Sequence, residues 1–222
     1  MSPDGAVVFD LDGTLVDSLP DLHLAVNRLL DEEGQPPLDR AAVGAMVGEG
    51  ATRLVARAFA AVDIPLSDAA AERYTERFRE LYLEAPCTHT RPMPHARTAL
   101  RRLEERGVKL GLCTNKPLAH TRVILERLEL APYFTAVIGG DSLAVRKPDP
   151  APLLATLGTL GAVPAHSLFV GDSRIDRDTA RAAGVRAILV EGGYTDVSVR
   201  SLAADAHLAS LDELDAVTRR SE

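Results

Sequence analysis

Asp10-Leu11-Asp12-Gly13-Thr14 follows the apolar run Ala6-Val7-Val8-Phe9, which puts two carboxylates just past a candidate strand. Lying two residues apart, both can approach one substrate. A carboxylate is nucleophilic at neutral pH without a base to activate it, and attack on phosphorus gives an aspartyl-phosphate. The second carboxyl can protonate the leaving oxygen and later deprotonate the attacking water. Three more polar clusters close apolar runs in the same way: Thr114-Asn115, Lys147-Pro148-Asp149-Pro150 and Gly171-Asp172-Ser173. Thr114, Asn115 and Lys147 offer the donors and positive charge that the equatorial oxygens of a transferring phosphoryl group require. Asp172 and Asp176 add two further acids. Four carboxylates around a phosphate repel one another and the substrate unless a cation intervenes. Hard oxygen ligands beside a phosphate point to Mg²⁺.

The elements that must position these residues alternate along the chain. Residues 6–9, 108–113, 136–138, 167–170 and 186–190 are short, apolar and rich in branched side chains, as strands buried on both faces are. Between them Ala96, Ala99, Leu100 and Leu103, then Val123, Ile124 and Leu128, then Leu153, Leu154, Leu157 and Leu160 recur at helical spacing. Strands alternating with helices imply right-handed crossovers and a mainly parallel sheet, whose ligands sit at the carboxyl ends of the strands. Asp176 also reads as the cap of the helix that follows it, and one side chain can serve both roles.

Residues 17–84 break the rhythm. Leu22, Val26, Leu29 and Leu30 mark one helical face, Leu54, Val55, Ala58 and Phe59 a second, and Tyr74, Phe78, Leu81 and Tyr82 a third, with no strand among them. Ser18 and Asp21 form a capping-box pattern with Pro20 in the first turn. The expectation is a helical cap over 17–84 inserted into a core formed by 1–16 and 85–222. Its hinges would be residues 15–18 and the proline-broken stretch 85–94.

Composition narrows the function. The chain has 222 residues, a net charge of −7, 46% hydrophobic and 26% charged residues. These values suit a soluble globular protein, and they argue against a nucleic-acid partner or a membrane surface. No apolar run reaches a membrane span and no signal-peptide pattern opens the chain, so a cytoplasmic location is expected. Cys87 and Cys113 give no disulfide framework. The six histidines lack ligand spacing, which argues against zinc, and Gly48-Glu49-Gly50 does not extend into a dinucleotide fingerprint.

The four clusters resemble the motifs of the haloacid dehalogenase superfamily of phosphatases, and the resemblance spans essentially the whole chain. Asp10 to Thr14 matches the first motif, Thr114 the second, Lys147 the third, and Gly171, Asp172 and Asp176 the fourth. The resemblance implies an α/β fold: a Rossmann-like parallel sheet with helices on both faces and an inserted α-helical cap. It implies Asp10 as nucleophile and Asp12 as general acid and base. Mg²⁺ would be held by Asp10, the backbone carbonyl of Asp12 and Asp172, with Asp176 supporting through water. Within the superfamily, Leu15-Val16-Asp17-Ser18, Gly48-Glu49-Gly50, Thr114-Asn115-Lys116-Pro117 and Gly139-Gly140-Asp141-Ser142 are similar to the bacterial phosphoglycolate phosphatase family. The substrate so implied is a small anionic phosphate ester, 2-phosphoglycolate first, with a phosphosugar, pyrophosphate or a phosphosugar mutase reaction as alternatives. The chain departs from the family at Ile175 and Glu49, where Asn is usual. Glu49 adds a negative charge to the cap, which Arg53 or Arg174 could offset. A monomer and a homodimer are both compatible with the sequence.

Overall fold

Every side chain of the first strand is fully buried, and its alternation decides the layers. The computed structural model of the chain describes residues 2–195 and 197–219. In β1 (Ala6–Phe9), Val7 and Phe9 join a cluster that contains Leu100, Leu103, Ile124 and Leu125. Ala6 and Val8 join another, with Leu153, Leu157, Leu160 and Ala180. The strand is therefore covered on both faces, as the unbroken apolar run demands.

The other core strands are β4 (Lys109–Cys113), β5 (Ala136–Ile138), β6 (Leu168–Gly171), β7 (Arg186–Val190) and β8 (Ala206–Leu208). They form one parallel sheet with β1 in the order β5-β4-β1-β6-β7-β8. α5 (Ala96–Glu105), α6 (Leu118–Arg127), α7 (Ala151–Leu160) and α8 (Arg174–Ala182) supply the covering helices. Val7 pairs with Leu110 of β4 on one side and Leu168 of β6 on the other. The sheet thus winds outward in both directions from β1, and the carboxyl end of β1 opens a crevice where side chains from several strands converge. Residues 108 and 167 fall just outside their strands. β8 was not expected; its three residues, Ala206-His207-Leu208, carry too short and polar a signal.

Between β1 and β4 the chain forms α1 (Leu19–Glu32), α2 (Arg40–Gly44), α3 (Ala51–Ala60) and α4 (Asp68–Glu84), the helical cap. α1 and α3 both pack on α4, and Phe59 of α3 stacks on Tyr74 of α4 with ring centroids 4.5 Å apart. The two strands of chain that enter and leave the cap pair with each other. β2 (Val16–Asp17) runs antiparallel to β3 (Arg91–Pro92), and Met93 N–H donates to the Leu15 carbonyl at 2.8 Å.

The expected capping box at Ser18 is absent, because both of its side chains have stronger business elsewhere. The Ser18 hydroxyl donates to Asp12 and caps nothing. Asp21 is buried and accepts from His89 N–H, Thr90 N–H and the Thr90 hydroxyl, at 2.7–3.0 Å. Its carboxylate clamps the start of α1 to the returning linker. Among the described residues, no helix is long and apolar enough to cross a membrane.

Candidate active site

The turn after β1 explains its own sequence. Gly13 adopts φ +81°, and a Cβ there would lie 2.6 Å from Asp172 Oδ2, so only glycine fits both the turn and the approach. Thr14 then donates from Oγ1 to Asp172 Oδ1 at 2.8 Å, and Tyr194 N–H donates to Asp172 Oδ2 at 2.8 Å. The motif's glycine and threonine therefore serve the carboxylate at the end of β6.

Asp176 is held just as firmly. It sits at the third position of α8 in a capping box with Ser173. Its Oδ2 accepts from Asp172 N–H, Ser173 N–H and the Ser173 hydroxyl, and its Oδ1 lies 2.7 Å from Lys147 Nζ. A Cβ at Gly171 would meet Asp176 at 2.3 Å, so the glycine that ends β6 lets this side chain lie against the strand. Cap and site residue are one.

Lys147 is 3% exposed and lies between Asp176 and Asp10, whose Oδ1 is 2.9 Å away. Burial alone would depress this ammonium, but Asp10 and Asp176 hold it well above the ordinary lysine range. Burial pushes the Asp10 carboxyl up to about 6, against the pull of Lys147. Burial, reinforced by Asp176 and Asp10, pushes Asp172 up to about 8. Oxygens of Asp10, Asp172 and Asp176 all lie within 4.8 Å of one another. Asp10 Oδ1 is also buried, and apart from the Lys147 ammonium 2.9 Å away it has no partner. Crowded carboxyls that resist ionising together fit a hard divalent cation.

Asp12 faces the other way, toward the cap. Lys116 Nζ lies 3.0 and 3.2 Å from its two oxygens, and Ser18 donates to Oδ1. Lys116 is 6% exposed; burial opposes its charge, but Asp12 and Tyr82 hold the ammonium above its ordinary range. Sequence reasoning missed this lysine as a site residue. Its only signal was its place in Thr114-Asn115-Lys116-Pro117, directly after β4.

Thr114 and Asn115 lie at the same strand end, both buried. Thr114 Oγ1 accepts from Lys116 N–H at 3.2 Å. The Asn115 amide donates to the carbonyls of Gly48 and Lys147, each at 3.0 Å, and so joins the cap to the Lys147 loop. Expected as a phosphate ligand, Asn115 spends its donors as a bridge. Glu49 pairs with Arg57 of α3, neither Arg53 nor Arg174, and does not line the cleft. Ile175 approaches the cap instead: a Cβ at Gly48 would lie 3.7 Å from its Cδ1.

A cleft lies between the core and the cap. Asp10, Asp12, Thr114, Asn115 and Lys116 form its floor, and Leu22, Val47, Leu54, Phe78, Arg79 and Tyr82 of the cap region face them, with His120 of α6 at the side. Buried carboxylates, ammonium groups and a donor-bearing strand end under an apolar lid form a water-poor site for an anion and its displacement.

Known proteins are similar to this chain in sequence and fold. Residues 5–184 match the family of haloacid dehalogenase-like hydrolases. A phosphoglycolate phosphatase of Rhodospirillum rubrum is 49% identical over 203 residues, covering 90% of this chain and 84% of that protein. One from Pseudomonas putida is 42% identical, covering 95% and 77%. The crystal structure of a predicted phosphoglycolate phosphatase from Haemophilus somnus superposes with a TM-score of 0.91 at 31% identity, covering 98% of this chain and 99% of that one. The chain belongs to the haloacid dehalogenase-like hydrolases.

Proposed function

We propose that this protein is a Mg²⁺-dependent phosphomonoesterase that hydrolyses 2-phosphoglycolate to glycolate and phosphate. The observation that carries the reading is the buried cluster at the ends of β1 and β6, where Lys147 separates Asp10 from Asp176 and Asp172 lies beside them. The relatives named phosphoglycolate phosphatase support the choice of substrate.

In this mechanism an Asp10 carboxylate oxygen attacks phosphorus and the bond to the leaving oxygen breaks, forming an aspartyl-phosphate. Asp12 gives a proton to the departing alkoxide, then takes one from the water that attacks the same phosphorus. Phosphate leaves and the Asp10 carboxylate is restored, so one ester and one water become one alcohol and one phosphate. Lys147 and Thr114 face the negative oxygens of the phosphoryl group, and Lys116 orients Asp12. Mg²⁺ would be held by Asp10, Asp172 and the backbone carbonyl of Asp12, with Asp176 supporting, and when bound it neutralises charge on the phosphoryl group. Residues 17–84 act as a cap that closes over the core of 1–16 and 85–222, with the β2–β3 pair as its hinge and Asn115 as a closing contact.

A phosphate-release assay over small phosphate esters with Mg²⁺ tests this. We expect the highest kcat/KM on 2-phosphoglycolate, with no bisphosphate primer needed and complete loss in EDTA. Preference for a phosphosugar or pyrophosphate would move the substrate. A need for the primer would make the protein a mutase, and no release from any ester would reject the hydrolase.

A further inference from the structure

Among the described residues, six buried side-chain polar atoms make no hydrogen bond, and five of them belong to residues that line the cleft between core and cap. Asp10 Oδ1 is accounted for by the reaction. The other four are Arg79 Nε, Tyr82 Oη, Asn115 Oδ1 and His120 Nδ1. Unpaired buried polar atoms are costly and few in native proteins, so their concentration at one place points to a missing partner.

Their chemistry separates them. His120 Nε2 lies 3.2 Å from the Arg79 carbonyl, which can only accept, so Nε2 carries the proton. Burial lowers the affinity of this ring for a second proton, and Nδ1 is left with a lone pair. It and Asn115 Oδ1 are acceptors and cannot bind an anion. Arg79 Nε is a donor, and Tyr82 Oη, which can accept from the neighbouring Lys116 ammonium, keeps its own proton to donate. They lie three residues apart on α4, a spacing that puts both on one helix face.

Both donors are held in place. His120 stacks on Tyr82, with ring centroids 5.3 Å apart at 11°, while its Nε2 secures the backbone of Arg79. The outer nitrogen Nη1 of Arg79 pairs with the largely exposed Glu76, leaving Nε as the buried inner donor. Lys116 Nζ stands between this edge and the chemistry, 3.0 Å from Asp12 Oδ1 and 4.6 Å from the centre of the Tyr82 ring. Both distances are small, so a short alcohol can bridge that span. Leu22, Val47, Leu54 and Phe78 bring only apolar side chains to the lid, and Gly48, Gly50 and Ala51 at the start of α3 bring backbone groups but no charged side chain.

We infer that Arg79 and Tyr82 form the subsite for the anionic end of the leaving alcohol, which selects short phosphomonoesters carrying a carboxylate. This deepens the proposed phosphatase reading and rests on it. A site built to hydrogen-bond a polar group discriminates strongly against an analogue that lacks it, because its donors are then left unpaired.

The test compares 2-phosphoglycolate with propyl phosphate, similar in size but without the carboxylate, in the wild type and in Arg79→Gln, Arg79→Lys and Tyr82→Phe. The wild type should favour 2-phosphoglycolate. The ratio of the two kcat/KM values should fall at least about tenfold in Arg79→Gln and several-fold in Tyr82→Phe, carried mainly by KM, with partial recovery in Arg79→Lys. An unchanged ratio in Arg79→Gln and Tyr82→Phe would overturn the subsite while leaving the phosphatase intact. If the variants fail to fold, inhibition of the wild type decides. Glycolate should inhibit at least about ten times more strongly than propanol, and equal inhibition would overturn the subsite. A wild type that releases phosphate from neither ester would overturn the hydrolase reading, and the subsite with it.

Discussion

Asp12 and Asp10 are two residues apart yet meet different surroundings, which is how one motif can supply both a nucleophile and a proton carrier. Asp10 is packed against Lys147 in the floor of the site, whereas Asp12 faces the cap and is gripped by Lys116 and Ser18. The division of labour is visible in the leaving group. Asp12→Ala should lower kcat on an alkyl phosphate by about 10²–10⁴, the range of general acid catalysis, and by far less on a nitrophenyl ester, whose alcohol leaves unaided. Equal losses on the two substrates would reject Asp12 as the proton donor. Asp10, Asp12, Asp172 and Asp176 were legible in the sequence because each follows a buried strand or opens the following helix, whereas Lys147, expected just past a strand, lies in the loop between β5 and α7 and was legible only by its Lys-Pro-Asp-Pro motif. Arg79, Tyr82 and His120 were not. Their patterns are those of ordinary helix faces, and only the approach of α4 to the end of β4 and to α6 gives them a common cleft.

At the scale of elements, β1, β6 and α8 force three carboxyls together, and the fold bears the cost. The folded-state pKa of Asp10 is raised to about 6 and that of Asp172 to about 8, in each case by burial first. A carboxyl raised above its ordinary value of about 4 holds its proton better folded than unfolded. Its stabilising contribution is full at low pH and is lost as pH rises through the folded value. The metal-free protein should therefore lose thermal stability between about pH 5 and pH 8. Mg²⁺ favours the ionised carboxyls, so the rise in Tm that it causes should be larger at the upper end of that range. Melting curves with Mg²⁺ and with EDTA across this range check both statements. A Tm shift that is absent, or equal at both ends, would contradict the carboxylate cluster as the metal site. The same elements show where sequence reading went astray locally. The Ser18–Asp21 pattern was genuine in its residue types, but a nearby carboxylate and a returning linker competed for the side chains and won.

For the molecule as a whole, the insertion between β1 and β4 is what turns a sheet into an enclosed site. The alternation of core strands and helices was legible from buried apolar runs separated by helical faces, and the helical stretch between β1 and β4 from its periodicity, whereas the order of strands in the sheet was not. The β2–β3 pair was not, since two residues per strand leave no periodicity to read. Nor was the fate of Glu49, because a salt bridge to Arg57 depends on how α3 turns after Gly50. A chain with a net charge of −7 nevertheless gathers Lys116 and Arg79 around one cleft, with Lys147 buried against Asp10, which suits capture of a small anion. In the proposed reaction this whole arrangement serves one oxygen atom, the attacking oxygen of Asp10. Asp10→Asn removes the nucleophile at nearly constant shape, and Lys147 keeps its second partner, Asp176, at 2.7 Å. The most direct measurement is kcat for phosphate release by folded Asp10→Asn at saturating Mg²⁺. Loss of a covalent nucleophile predicts a fall of at least about a thousandfold, whereas turnover near that of the wild type would contradict the account.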